Sequence, residues 1–192
     1  MADRDAGITR AQEESWLTRY YVTRAAFSAV WVALAFSVGQ RFPAGAVVLL
    51  IVYPAWDALA NYIDASRSGG LTENRTQALN VVISLVTTVA VIAALRLNWV
   101  LGIFGIWAVL SGLLQFGTAV RRWKHLGAQW AMILSGGQSA LAGAFFLLQA
   151  RAPLQLATGR VAGYAAVGAV YFLVSAAWLL VGQMRSKTVR TS

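Results

Sequence analysis

The sequence predicts an all-α polytopic membrane protein: six transmembrane helices arranged as three helical hairpins, with both termini cytoplasmic. Three observations predict it. Of 192 residues, 58% are hydrophobic and 12% charged, whereas a soluble domain carries about 45–50% apolar and about 25% charged residues. Six apolar runs approach the ~20 helical residues that cross about 30 Å of hydrocarbon, and they are continuous instead of alternating, which argues against a barrel. The third observation is charge placement. Twelve of the 16 Lys and Arg lie on one side of these runs: Arg4, Arg10, Arg19, Arg24, Arg67, Arg75, Arg121, Arg122, Lys124, Arg185, Lys187 and Arg190. The other four, Arg41, Arg96, Arg151 and Arg160, lie on the opposite side. Cytoplasmic connections are enriched in Lys and Arg, so the richer side, with both termini, is inside. The net charge of +9 is thereby a topology signal, and no nucleic-acid partner is expected.

In chain order, residues 1–20 form a polar cytoplasmic or interfacial segment with acids at Asp3, Asp5, Glu13 and Glu14. Thr9-x-x-Gln12 reads as a capping box. It opens either a short interfacial helix with Trp16, Tyr20 and Tyr21 or a tail that ends at an aromatic belt. The apolar run starts later than in a secretory signal, so no cleavage is expected. Residues 21–183 hold the six spans: 21–40, 43–63, 77–95, 99–120, 128–150 and 161–183. Residues 184–192 form a basic cytoplasmic tail.

The outer turns at 41–42 and 96–98 are very short, which makes spans one and two, and three and four, antiparallel neighbours. The inner link at 64–76, with Ser68-Gly69-Gly70, is longer and flexible. A weak repeat accompanies the hairpins: Gly105 and Gly112 match Gly168 and Ser175, with Leu50 and Asp57 at the same positions of hairpin one. Trp16, Tyr20, Tyr21, Tyr62, Trp123 and Trp130 mark the inner interface; Trp99 and Tyr164 mark the outer one.

The candidate site is a polar ladder in span two. Tyr53, Asp57 and Asn61 are four residues apart and share a helix face, and Pro54 removes a backbone donor beside them. An aspartate at membrane depth costs about 2.5–3.5 kcal/mol at the centre, so Asp57 should not face lipid. Arg24, at similar depth in span one, is its expected partner. Asn80, with Ser84, Thr87 and Thr88, could face the same ladder from span three. The cluster Arg24, Tyr53, Asp57, Asn61 and Asn80 is read either as an ion pair locking hairpin one or as a proton or ion site on a transport path.

Other polar groups give weaker signals. Gln115, Ser135, Gln138 and Ser139 are placed to hydrogen-bond across helices. Gly136, Ala140 and Ala144 form a small-residue stripe for internal packing or a dimer face. Arg121, Arg122 and Lys124 are candidate lipid-headgroup contacts or a topology signal alone. His125, the one histidine, lies beside them.

Residues 101–124, LGIFGIWAVLSGLLQFGTAVRRWK, and 130–149, WAMILSGGQSALAGAFFLLQ, carry a likeness. A helix punctuated by Gly102, Gly105 and Gly112 ends at Arg121 and Arg122, and a second helix carries Ser135, Gly136 and Gly143. This pattern resembles the HdeD-like small bacterial integral membrane proteins, a short-repeat family of unknown function. The resemblance implies six spans in a bacterial cytoplasmic membrane and a link to acid stress, and it brings no catalytic residues. Asp57 departs from it, standing where the other hairpins have glycine or serine.

Catalysis needs a constellation, and none is present. No cysteine and one histidine leave no zinc set and no Ser-His-Asp triad, and one acid at depth leaves no carboxylate-bound metal pair. The expectation is a non-enzymatic membrane protein of the HdeD-like type, without a cofactor, supporting envelope or acid-stress tolerance through packing, lipid or partner contacts. The partners left open besides lipid are a second copy and another membrane protein. The alternative is a small proton- or ion-coupled transporter or channel using Asp57.

Overall fold

The computed structural model describes residues 2–124 and 129–191, with side chains from 12 to 124 and from 129 to 184. His125 lies outside the described residues, as do the side chains of Arg4, Thr9, Arg10, Arg185, Lys187 and Arg190. The chain forms α1 (Ala2–Leu34), continued by a π turn (Ala35–Gly39), α2 (Pro43–Arg67), α3 (Arg75–Leu95), α4 (Val100–Arg122), α5 (Gln129–Leu148) and α6 (Leu154–Thr191). All six are long and apolar enough to cross a membrane. Among the described residues there is no strand.

Two helix starts and one link follow from local chemistry. Pro43 opens α2, where its fixed φ suits a first helical turn, and Phe42 before it is extended, as a pre-proline residue prefers. The link at 68–74 turns on Gly69 and Gly70, at φ 94° and 90°, a region glycine enters without a Cβ clash. Gly70 donates to the Ala65 carbonyl, closing the end of α2.

Three boundaries differ from expectation. α1 is continuous from Ala2, so Thr9 lies within a helix and not at its start, and no separate interfacial helix precedes span one. α2 runs to Arg67, which brings Asp64 inside the helix. α6 begins at Leu154, which brings Arg160 inside the candidate span Leu154–Met184. Arg160 then lies about 9 Å along the helix from its first residue at 1.5 Å per residue.

Helix packing also departs from the hairpin order. The most extensive contacts join α4 with α5, α1 with α6, and α2 with α3, followed by α3 with α4. α1 and α2 touch chiefly through the π turn at their outer end, and α5 and α6 meet sparsely. A short turn brings helix ends together, but side-chain size sets their separation along the rest. Between α1 and α2 stand Phe27, Trp31, Tyr53 and Trp56, with Phe27 stacked on Trp56 at 4.4 Å and Trp31 tilted against Tyr53 at 4.7 Å. Between α4 and α5 stand glycines. A Cβ on Gly112 would lie 2.6 Å from the Gly136 carbonyl, and one on Gly105 would lie 2.8 Å from the Gly143 carbonyl.

Of the α5 stripe, Gly136 and Ala140 thus pack against Gly112 inside the bundle, with Gly143 beside them against Gly105, whereas Ala144 is exposed. The repeat does not carry this packing, because a Cβ on Gly168 meets nothing within 4 Å. Two apolar clusters close the bundle. Trp31, Leu50, Val91, Leu101, Phe104 and Val161 fill the half away from the chain termini; Leu17, Tyr21, Met132, Phe172 and Leu179 fill the half near them.

Ser175 Oγ is buried without a hydrogen-bond partner. A buried unsatisfied hydroxyl costs about 1–3 kcal/mol. Ser175→Ala is therefore expected to raise the thermal midpoint of the purified protein, and a lowered midpoint would show that the hydroxyl is satisfied in the membrane.

Candidate functional site

The face of α2 that carries the ladder points into the bundle, and it holds two acids. Asp57 is 5% exposed and Asp64, seven residues on and on the same face, is 1% exposed. Each gathers donors from neighbouring helices.

Asp57 accepts from Arg24 Nη2 of α1 through Oδ1. Its Oδ2 accepts from Asn61 Nδ2 at 3.0 Å and from Ser84 Oγ at 2.9 Å. Ser84 Oγ in turn accepts from Trp107 Nε1 at 2.9 Å, so one carboxylate ties α1, α2, α3 and α4. Arg24 also donates to Tyr20 Oη at 3.0 Å, and its guanidinium carbon lies 4.5 Å from the Phe172 ring centre. Bonds to a charged group contribute about 1.5–3 kcal/mol each, so three donors together exceed the ~2.5–3.5 kcal/mol cost of an aspartate at the bilayer centre. Asp57 thus bonds across the sparsely packed α1 and α2.

Asp64 is the second node. It accepts from Gln77 Nε2 at 2.6 Å, Trp16 Nε1 at 3.3 Å and Arg122 Nη2 at 3.3 Å. Reading Asp64 as the first loop residue hid it. The signal was the spacing, since Asp57, Asn61 and Asp64 continue one face once the helix extends by a turn.

The expected cluster comes together in part. Arg24, Asp57 and Asn61 meet directly. Tyr53 shares their face but lies in the aromatic packing, with Trp107 edge-on at 5.8 Å. Asn80 does not reach Asp57: its Oδ1 accepts from Ser111 Oγ at 2.8 Å, and the shorter Ser84 side chain takes the place beside the carboxylate. The basic cluster at the end of α4 divides. Arg122 turns inward onto Asp64, Arg121 is exposed and donates to Thr76 Oγ1, and Lys124 is exposed.

The aromatic markers divide too. Tyr62, Trp123 and Trp130 are exposed. Tyr21 is buried against Phe172, and Trp16 serves Asp64. Tyr164 is in the core, its hydroxyl 2.7 Å from Ser139 Oγ, which donates to the Ala108 carbonyl at 2.9 Å.

These groups line a cavity of about 390 Å³ between the two apolar clusters. Its wall runs from Asp64, Gln77 and Arg122, at the end of the bundle nearer the chain termini, past Asp57, Trp107 and Ser139, to Phe146 and Arg160 toward the opposite end. On α6 the lining spans residues 159–172, about 20 Å at 1.5 Å per residue. The volume falls in the range of about 300–1,000 Å³ typical of small-molecule sites, which are mostly apolar with a few convergent polar groups. Among the described residues no group of three or more His, Cys, Asp or Glu could hold a metal.

No protein family, curated protein or solved structure matches this chain.

Proposed function

We propose that this is a non-enzymatic protein of a bacterial cytoplasmic membrane, with both termini inside, which takes a small molecule into the cavity at the centre of its six helices. The observation that carries this reading is the cavity itself: about 390 Å³, walled by aromatic rings and by two buried ion pairs, Arg24–Asp57 and Arg122–Asp64. A bundle built only for packing would fill that space, because protein interiors leave few voids larger than a water molecule. The ion pairs fix the cavity wall. With three donors on each acid, they support a positioning role for Asp57 over that of a proton carrier. The HdeD-like resemblance adds an envelope-stress setting for the occupant. Lipid contacts fall to the exposed Arg121 and Lys124.

Native mass spectrometry of protein extracted gently from membranes tests the reading. The wild type is expected to retain a bound small molecule. Gly168→Leu, whose new side chain enters open space in the cavity wall, is expected to lose it while remaining folded. Absence of any adduct from the wild type at all extraction conditions counts against the proposal.

The orientation has its own test, made clean by the absence of cysteine. In intact cells an impermeant thiol reagent is expected to label Leu97→Cys, and to reach Thr72→Cys only after permeabilisation. The reverse order would invert the topology.

A further inference from the structure

We infer that the cavity is a site for a monocarboxylate amphiphile, of the fatty-acid class, which enters sideways between α5 and α6 and anchors its carboxylate on Arg160. This rests on the cavity reading above and names its occupant. Five charged side chains line the cavity: Arg24, Asp57, Asp64, Arg122 and Arg160. Four cancel as the two ion pairs. Arg160 is the remainder. Its guanidinium carbon lies 5.1 Å from the Phe145 ring centre, and among the described residues no carboxylate pairs with it. Arg160 is half-buried six residues into α6, and a cation at membrane depth without a carboxylate partner is a candidate contact for an anion.

The shape fits the same occupant. α5 and α6 pack sparsely, and the cavity runs along their seam. Gly163 and Val167 of α6, with Gln138 and Phe145 of α5, line it and are exposed, so the seam opens toward the surrounding bilayer. A Cβ on Gly163 or Gly168 would meet nothing within 4 Å, which leaves a side-chain-free floor below Arg160. On α6 the lining covers about 20 Å of helix at 1.5 Å per residue, long enough for an extended hydrocarbon chain. The charge selects the head. One excess cation matches a monocarboxylate, whereas a phosphate monoester carries about −1.5 to −2 and would leave charge uncompensated in a low-dielectric site.

The experiment is saturable binding of a tail-labelled long-chain fatty acid to the full-length protein in nanodiscs of zwitterionic lipid. Arg160→Gln is expected to weaken binding by about tenfold or more, because a charge-assisted bond is lost. Arg160→Lys should retain most of it. Gly163→Leu and Gly168→Leu should remove it, with thermal midpoints near wild type. The matching fatty alcohol should bind far more weakly than the acid. Equal affinity in Arg160→Gln, or equal binding of the alcohol, overturns the proposal. Stronger displacement by a lysophospholipid bearing a phosphate monoester overturns the choice of head. If the fatty acid does not bind but Gly168→Leu still strips another molecule from the wild type, the cavity reading stands and this one falls.

Discussion

Asp57→Ala is expected to destabilise the bundle by about 3–5 kcal/mol, the penalty for removing one partner of a buried ion pair. The loss is not that of a single contact. Arg24 would remain charged between Tyr20 and Phe172, and the donors Asn61 and Ser84 would lose their shared acceptor. Asp57→Asn should fall in between, since an amide keeps the shape and can still accept from Asn61 or Ser84, but cannot neutralise Arg24. The double variant Arg24→Met with Asp57→Leu should recover much of the loss, because replacing a whole buried pair by apolar residues is often neutral or stabilising. Thermal midpoints of the four proteins in one lipid, combined as a double-mutant cycle, give the coupling between the two sites. Additive effects would show that the pair does not hold α1 to α2.

Gly112→Leu is expected to be at least as damaging, at about 3 kcal/mol or more, the upper end of overpacking costs. Its Cβ alone would sit 2.6 Å from the Gly136 carbonyl and 2.8 Å from the Ala140 nitrogen. Backbone cannot yield as a flexible side chain does, so α4 and α5 must separate along the closest contact in the bundle. Gly117→Ala is the control. A Cβ there meets nothing within 4 Å, and alanine favours helix by about 1 kcal/mol over glycine. Gel filtration and thermal midpoints should rank Gly117→Ala at or above wild type and Gly112→Leu far below it. Equal behaviour of the two would remove the glycine contact as the reason these helices pair.

The number of spans, the Arg24–Asp57 pair and the inward ladder were legible because each depends on distances along one helix or on a bulk charge count. Arg24 and Asp57 lie at matching depths on either side of a short outer turn, which the sequence states directly. Helix neighbours were less legible. The two short outer turns suggested that successive spans pack along their lengths, but the aromatics of α1 and α2 hold them apart while Gly112 and Gly136 draw α4 and α5 together. That preference depends on which faces meet, and periodicity within one helix does not supply it.

Asp64 and Arg160 were missed for a different reason. Both stand near span ends, where an apolar window closes at the first charge. The helices run on through them, because Asp64 finds three donors and Arg160 finds Phe145 and the cavity. Burial at those positions is decided by partners on other helices. The same limit hid the cavity, whose wall draws on all six helices.

The proposed function requires that the bundle surround an open, accessible cavity and not a dry core. Single cysteines at neighbouring positions of α5 test it most directly, since the chain has none of its own. Ser135 lines the cavity; Leu134, beside it at the same depth, does not and is 53% exposed on the outer face of the bundle. In native membranes a water-soluble thiol reagent is expected to modify Ser135→Cys and to leave Leu134→Cys unreacted. Protection of both, in folded protein that native mass spectrometry shows to carry no bound molecule, would contradict the cavity and the function proposed for it.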